Sequence, residues 1–236
     1  MAPEHSAAQP VLRARRLGVE AGPDVLLRDV ELTVAPGEIV VIIGATGSGK
    51  TTLLDALSGM SPHRIHGGLE VLGEDGLQPA TLRRLRSRDL GVLQQDIRGW
   101  YTPYRCVEAQ ILEGWTGDQA AGRARVEALL GRFALPIERI RSRFPNQLSD
   151  GMLRRAALCG LLARSPSLVI ADEPTAGLDG PTRWRAWELL LDCGAAVVTA
   201  THDVDLVAAL VAQGRRLHTV QVSEGTLEDA GEDQEE

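Results

Sequence analysis

Lysine is almost missing from this chain. Of 25 basic residues in 236, one is a lysine, Lys50, and the other 24 are arginine. Aromatic side chains make up 3% of the residues. Cysteine occurs three times, at Cys106, Cys159 and Cys193, and so odd and dispersed a set argues against a disulfide framework or a zinc knuckle. No apolar run approaches the roughly 18 residues that a membrane helix needs. The opening Met-Ala-Pro-Glu-His-Ser lacks the charged-then-apolar pattern of a secretory leader. These absences predict a cytoplasmic protein.

The sequence also lacks a basic patch. Its net charge of −7 comes from the last stretch, where Glu224, Glu228, Asp229, Glu232, Asp233, Glu235 and Glu236 have no basic neighbour. Removing those seven from 32 acids leaves 25, equal to the 25 basic residues, so the body is neutral. The arginines are spread over solvated faces, which predicts no nucleic-acid partner. Residues 223–236 read as an acidic, disordered tail and residues 1–10 as a loose lead-in.

What is present is ordinary for a soluble globular protein: 44% hydrophobic and 24% charged residues, with a length that suits one large α/β domain. Residues 39–52 organise the rest. Five apolar, mostly β-branched residues (39–43) have the character of a buried strand. They lead into Gly44, Ala45, Thr46, Gly47, Ser48, Gly49, Lys50 and Thr51, a full match to G-x-x-x-x-G-K-[ST]. Thr52 then continues a helix that stops at Gly59. Glycines let backbone amides turn inward, and the opening helix adds its unpaired N–H groups and positive dipole end. Lys50 is placed for the β- and γ-phosphates of a nucleotide, and Thr51 for Mg²⁺. The only lysine therefore stands where a slender point charge is required.

Around this core, residues 11–20, 25–34, 65–72 and 90–94 read as strands, with a short helix at 79–88. Residues 168–173 repeat the buried-strand pattern and end in Asp172 and Glu173. Residues 195–200 form a further apolar strand that ends at Thr201, His202 and Asp203. Helices are predicted over 107–112, 120–133, 150–163 and 181–193. Such alternation implies a mainly parallel sheet with its chemistry at the strands' C-terminal ends. Four of the eight aromatics (four Trp, two Tyr, two Phe in all) lie between Trp100 and Trp115, inside an inserted helical subdomain spanning about 100–163. They suit either a docking surface or that subdomain's own core.

Hydrolysis of a nucleoside triphosphate needs a metal at the γ-phosphate, an orienting group for water and charge stabilisation. Asp172, at the end of its apolar strand, is placed to hold Mg²⁺. Glu173 points the other way along the strand and is placed to polarise water. His202 ends a buried strand, a context that the other four histidines lack.

The order of the phosphate loop, Gln95, Leu148-Ser149-Asp150-Gly151-Met152, Asp172-Glu173, Ala176-Gly177-Leu178-Asp179 and His202 resembles the nucleotide-binding domain of ATP-binding cassette (ABC) transporters. The resemblance covers residues 11–222. It implies a P-loop NTPase fold, with a RecA-like mainly parallel sheet, an N-terminal antiparallel β part and the helical insertion. It implies Gln95 as a Mg²⁺ contact that senses a membrane partner, residues 148–152 as the signature and 176–179 as the D-loop. It also implies Glu173 and His202 as catalytic groups, with ATP and Mg²⁺ bound. Each ATP would be sandwiched between the P-loop of one subunit and the signature of another, in a homodimer or beside a related ATPase. The chain would then sit peripherally on the cytoplasmic face of the membrane. It would be docked on permease subunits and served indirectly by an extracytoplasmic solute-binding protein.

Two departures stand out. Asp150 occupies a position that is glycine in the common signature, and would set negative charge against a partner's γ-phosphate, costing ~1–3 kcal/mol at an effective dielectric near 20. That predicts an impaired signature, and hence one good and one poor ATP site in a heterodimer. Ala21 takes the place of the aromatic that usually stacks on adenine. Within the family, residues 95–103 and 107–113, together with Met152, are similar to the peptide, nickel and metallophore import branch. The short C-terminal region favours the nickel or metal-chelate type. The competing reading is an ABC-type ATPase of a soluble complex such as carbon–phosphorus lyase. A P-loop kinase would share Lys50 and Thr51 but has no need of Gln95, a signature helix or His202.

Overall fold

The computed structural model describes residues 9–115 and 117–230. Two sheets enclose the first helix. The antiparallel sheet has four strands, β1 (Leu12–Ala21), β2 (Asp24–Val34), β4 (Arg64–Val71) and β5 (Glu74–Asp75), in the order β2-β1-β4-β5. The larger sheet is built from β3 (Ile39–Ile43), β6 (Leu90–Leu93), β7 (Leu168–Asp172), β8 (Ala196–Ala200), β9 (His218–Ser223) and β10 (Thr226–Asp229). Its order is β10-β9-β3-β8-β7-β6, and it is parallel except for the β9–β10 hairpin. The fold is thus α/β with a mainly parallel P-loop sheet and an antiparallel companion.

Side-chain alternation along β3 explains the layering, because successive strand residues face opposite ways. Val40 and Ile42 face helix α1 (Lys50–Ser58) and join Leu53 and Leu57 in a core shared with β1 and β2. Val41 faces the other side and packs on Trp187, Val207 and Leu210. These last belong to α7 (Gly180–Leu191) and α8 (Val204–Ala212). A further core joins α5 (Gln119–Arg132) to α6 (Asp150–Ala163), through Val126, Leu130 and Phe133 against Leu153 and Ala157.

Three of the four clustered aromatics serve that helical layer. Tyr101 is buried and donates its hydroxyl proton to the Leu153 carbonyl (2.8 Å). Trp100 donates to the Val92 carbonyl and Trp115 to that of Asp118. Tyr104 alone stands out, 87% exposed.

The acidic end departs from expectation. Residues 223–229 continue the sheet, with Glu228 opposite Gln221 and Asp229 opposite Val220. Leu227 on the inward side packs against the main core, and that burial holds a strand that charge alone would leave solvated. Residues 231–236 of the expected tail, and residues 1–8 of the lead-in, lie outside the described residues.

Candidate nucleotide and magnesium site

The P-loop is shaped from behind by the sheet. Gly44 has φ 150°, and a Cβ there would lie 2.6 Å from the Val222 carbonyl oxygen of β9 and 2.8 Å from Ser48 Oγ. Only glycine fits so close an approach. Gly49, at φ 109°, turns the chain into α1, so the helix N-terminus and its amides face the loop. Lys50, the first residue of α1, folds back over the loop and donates to the Gly44 and Ala45 carbonyls, both at 2.8 Å. An ammonium has three protons, so one remains for a phosphate oxygen. Ser48 Oγ is buried without a hydrogen-bond partner, which leaves a second donor or acceptor in the same place.

Thr51 follows Lys50 and donates its hydroxyl proton to Asp172 Oδ2 at 2.7 Å. The strand β7 thus delivers its terminal carboxylate to the start of α1. Burial pushes the Asp172 carboxyl above its usual range, the Thr51 hydrogen bond opposes this, and the Glu173 charge adds to it. A cation would relieve that strain. Thr51, Asp172 and Gln95 line one cleft of about 300 Å³ with Asp55 and Gln94. These hard oxygen donors, one buried carboxylate among them, fit Mg²⁺, which binds through one or two protein ligands, phosphate and water. Among the described residues no cluster of three His, Cys, Asp or Glu forms a dedicated metal cage.

Glu173 diverges from Asp172 because its backbone is left-handed, with φ 48°. Such a conformation costs about 1–3 kcal/mol in a residue with a side chain and is held in place by its surroundings. Here its N–H is held by the Ala200 carbonyl at 3.0 Å. The side chain is buried, and Oε1 lies 2.6 Å from Nδ1 of His202. Nε2 is the outer atom of an imidazole that is 72% exposed. The family resemblance implies a catalytic role for His202, and the structure pairs it with Glu173.

The residues expected to form a signature lie elsewhere. Ser149 caps α6, its Oγ accepting from the Met152 N–H at 3.3 Å. None of Leu148, Ser149, Asp150, Gly151 and Met152 lines the cleft at Thr51 and Asp172. Residues 148–152 thus lie away from that cleft. Asp150 is also no bare charge, since Arg98 Nη2 is 2.6 Å from its Oδ1. This corrects the expectation of an uncompensated carboxylate. Asp179, which opens α7, accepts from the Thr182 N–H at 2.9 Å, and hydrogen bonds from Thr182 hold its carboxyl below the ordinary range. Ala21 ends β1 at the turn into β2, opposite Asp24.

The profile described as ABC transporter matches residues 27–176. The chain belongs to the ABC transporter family. It is an ATPase cassette of the P-loop class. It is 34% identical to the aliphatic sulfonates import ATP-binding protein SsuB 2 of Rhizobium johnstonii, over 98% of this chain and 90% of that protein. It is 36% identical to the lipoprotein-releasing system ATP-binding protein LolD of Bordetella avium, over 90% of this chain and 95% of that one. With the oligopeptide transport ATP-binding protein OppD of Mycobacterium bovis it shares 32% identity over 84% of its length, but spans only 36% of that relative. Among solved structures it superposes on a dimeric bacterial ABC transporter cassette with TM-score 0.75 and 26% identity, covering 92% of this chain and 96% of that one. Relatives named for sulfonates, lipoproteins and oligopeptides fix the cassette and leave its branch open.

Arg154 is the cassette residue that sequence reading passes over. It is buried on α6, donating from Nη1 to the Glu173 carbonyl (3.0 Å) and from Nη2 to the Gln95 carbonyl (2.9 Å). Burial lowers its pKa, while the carboxylates of Asp150, Glu173, Asp172 and Asp96 oppose that shift. The guanidinium thus ties the main chain of Gln95 to that of Glu173. Arg154→Ala leaves two carbonyls without this donor and is expected to cost about 2–4 kcal/mol in chemical denaturation. Turnover should fall further than nucleotide affinity, with Arg154→Lys recovering part of it. Equal losses of both would mean that Arg154 serves the fold alone.

Proposed function

We propose that this cassette is the ATP-binding subunit of an ABC importer, hydrolysing ATP to drive a small solute through separate membrane subunits. The observation that carries the reading is the meeting of Thr51, Gln95 and Asp172 at one cleft, with Lys50 folded over the adjoining loop and Glu173 paired with His202. In this reading the P-loop from Gly44 to Thr52 cradles the phosphates through its amides, and Lys50 neutralises the β- and γ-oxygens. Thr51, Asp172 and Gln95 hold Mg²⁺, which when bound draws charge from the γ-phosphate. Glu173 takes a proton from the attacking water as the γ-phosphoryl group passes to that water and ADP departs, and His202 holds the Glu173 carboxylate in place. The signature at 148–152 receives the nucleotide of a second cassette, which is why it stands apart from the cleft.

No helix among the described residues is long and apolar enough to cross a membrane. The work is therefore assigned to permease partners, with this chain bound peripherally on the cytoplasmic face and a solute-binding protein acting outside. Tyr104, exposed a few residues beyond Gln95, marks the face offered to the permease. Peptide, nickel or a metal chelate is the proposed cargo, supported by the segment at 95–103 and by Met152. Purification from detergent-solubilised membranes tests the assignment. Polytopic subunits should co-purify and raise the ATPase rate. Recovery only with soluble enzymes would overturn it in favour of a soluble multienzyme complex.

A further inference from the structure

The aspartate that opens α6 has its counter-ion in the same chain. Arg98 belongs to α3 (Ile97–Trp100), just beyond Gln95. Besides the 2.6 Å contact to Asp150, its guanidinium points Nη2 at the Leu148 carbonyl (3.3 Å) and Nη1 at the Pro145 carbonyl (3.4 Å). It thereby links the loop that enters the signature to the segment that follows the glutamine. The two side chains are 51% and 59% exposed, so the pair adds little to global stability. Its effect is local. It neutralises a carboxylate at the N-terminus of a 14-residue helix, where free amides favour an approaching anion and an unpaired aspartate repels one. A glycine at this position would need no such partner.

We propose that Arg98 is the counter-ion that makes the aspartate-bearing signature usable. A second copy of this chain, presenting ATP phosphates on its own P-loop, is then a sufficient partner. The inference rests on the reading of the signature given above. Each copy carries a full set of Lys50, Thr51, Asp172 and Glu173 and an electrically neutral signature, so the two composite sites are equivalent rather than one good and one poor. Arg98 is a positioning residue: it touches Asp150 and two carbonyls, and leaves the phosphates to Ser149 and the helix amides.

The test uses the full chain with Glu173→Gln, which slows hydrolysis so that the ATP-bound state persists. Dimer formation with Mg-ATP is followed by light scattering, and P-loop occupancy separately with a fluorescent ATP analogue. Glu173→Gln should dimerise. Adding Arg98→Ala should weaken the dimer at least about tenfold, equivalent to ~1.4 kcal/mol, without changing P-loop occupancy. Adding Asp150→Gly as well should restore dimerisation, and raised salt should narrow the difference between the variants. An undiminished dimer with Arg98→Ala overturns the proposal. So does a failure of Asp150→Gly to rescue, because Arg98 would then matter only for the two carbonyls. If Glu173→Gln binds nucleotide but stays monomeric, a second copy is not sufficient and the proposal fails while the P-loop assignment stands. Absence of nucleotide binding would overturn that assignment, and this inference with it.

Discussion

Lys50→Ala should lower ATP affinity by at least about 100-fold, equivalent to ~2.7 kcal/mol, and reduce phosphate release to background. Two losses combine. The β- and γ-phosphates lose their only ammonium, and the Gly44 and Ala45 carbonyls, each held at 2.8 Å, lose the donor that folds the loop into its cradle. Equilibrium binding of a fluorescent ATP analogue and a phosphate-release assay measure the two effects. Lys50→Arg should not rescue, because a planar five-donor fork cannot occupy the narrow space between two carbonyls and a phosphate as an ammonium does. Full turnover from the arginine variant would show that charge alone suffices and that the placement of the only lysine is incidental.

Glu173→Gln is expected to reduce turnover by about 10²–10⁴-fold, the range for loss of a positioned general base. ATP affinity should stay within a factor of a few. Glutamine keeps the size of the side chain and the left-handed backbone at φ 48°, and its amide can still meet His202, so the folded site survives. What goes is the ability to take a proton from water. Single-turnover hydrolysis with Mg-ATP separates the chemical step from binding and product release. A rate within tenfold of the unaltered protein would transfer the base role away from Glu173 and leave its pairing with His202 as orientation only.

Much of this site can be read from local sequence. Continuous β-branched runs identify β3, β7 and β8, because strands buried on both faces carry no alternation to obscure them. The loop between β3 and α1 follows from glycine spacing, and the carboxylates at 172 and 173 follow from their place at a strand's end. Other features are invisible at that level. Helix α8 is apolar around most of its circumference, so its periodicity does not distinguish it from a strand. β10 is half acidic and is held as a strand by its ladder with β9 and by Leu227 against the core. Arg154 meets the Gln95 carbonyl across 59 residues of sequence, and Arg98 meets Asp150 across a similar gap. Such tertiary pairings leave no spacing pattern among 24 arginines. Asp150, read in isolation, is an electrostatic defect; with its neighbour in place it is half of a neutral pair.

The strand that braces the phosphate loop from behind has a bearing on how the protein is made. β9 lies parallel to β3 with Val40 opposite His218, and His218 also reaches back across 180 residues to Glu38, 3.0 Å away. The Val222 carbonyl that presses on Gly44 therefore arrives long after the glycine itself has left the ribosome. A nascent chain can assemble α1 and the antiparallel sheet early, but its cradle lacks a rear wall until β9 inserts. Closing so long a loop is a slow event in folding. Grip on nucleotide is thus acquired late, after the strands and helices that precede β9 have been synthesised.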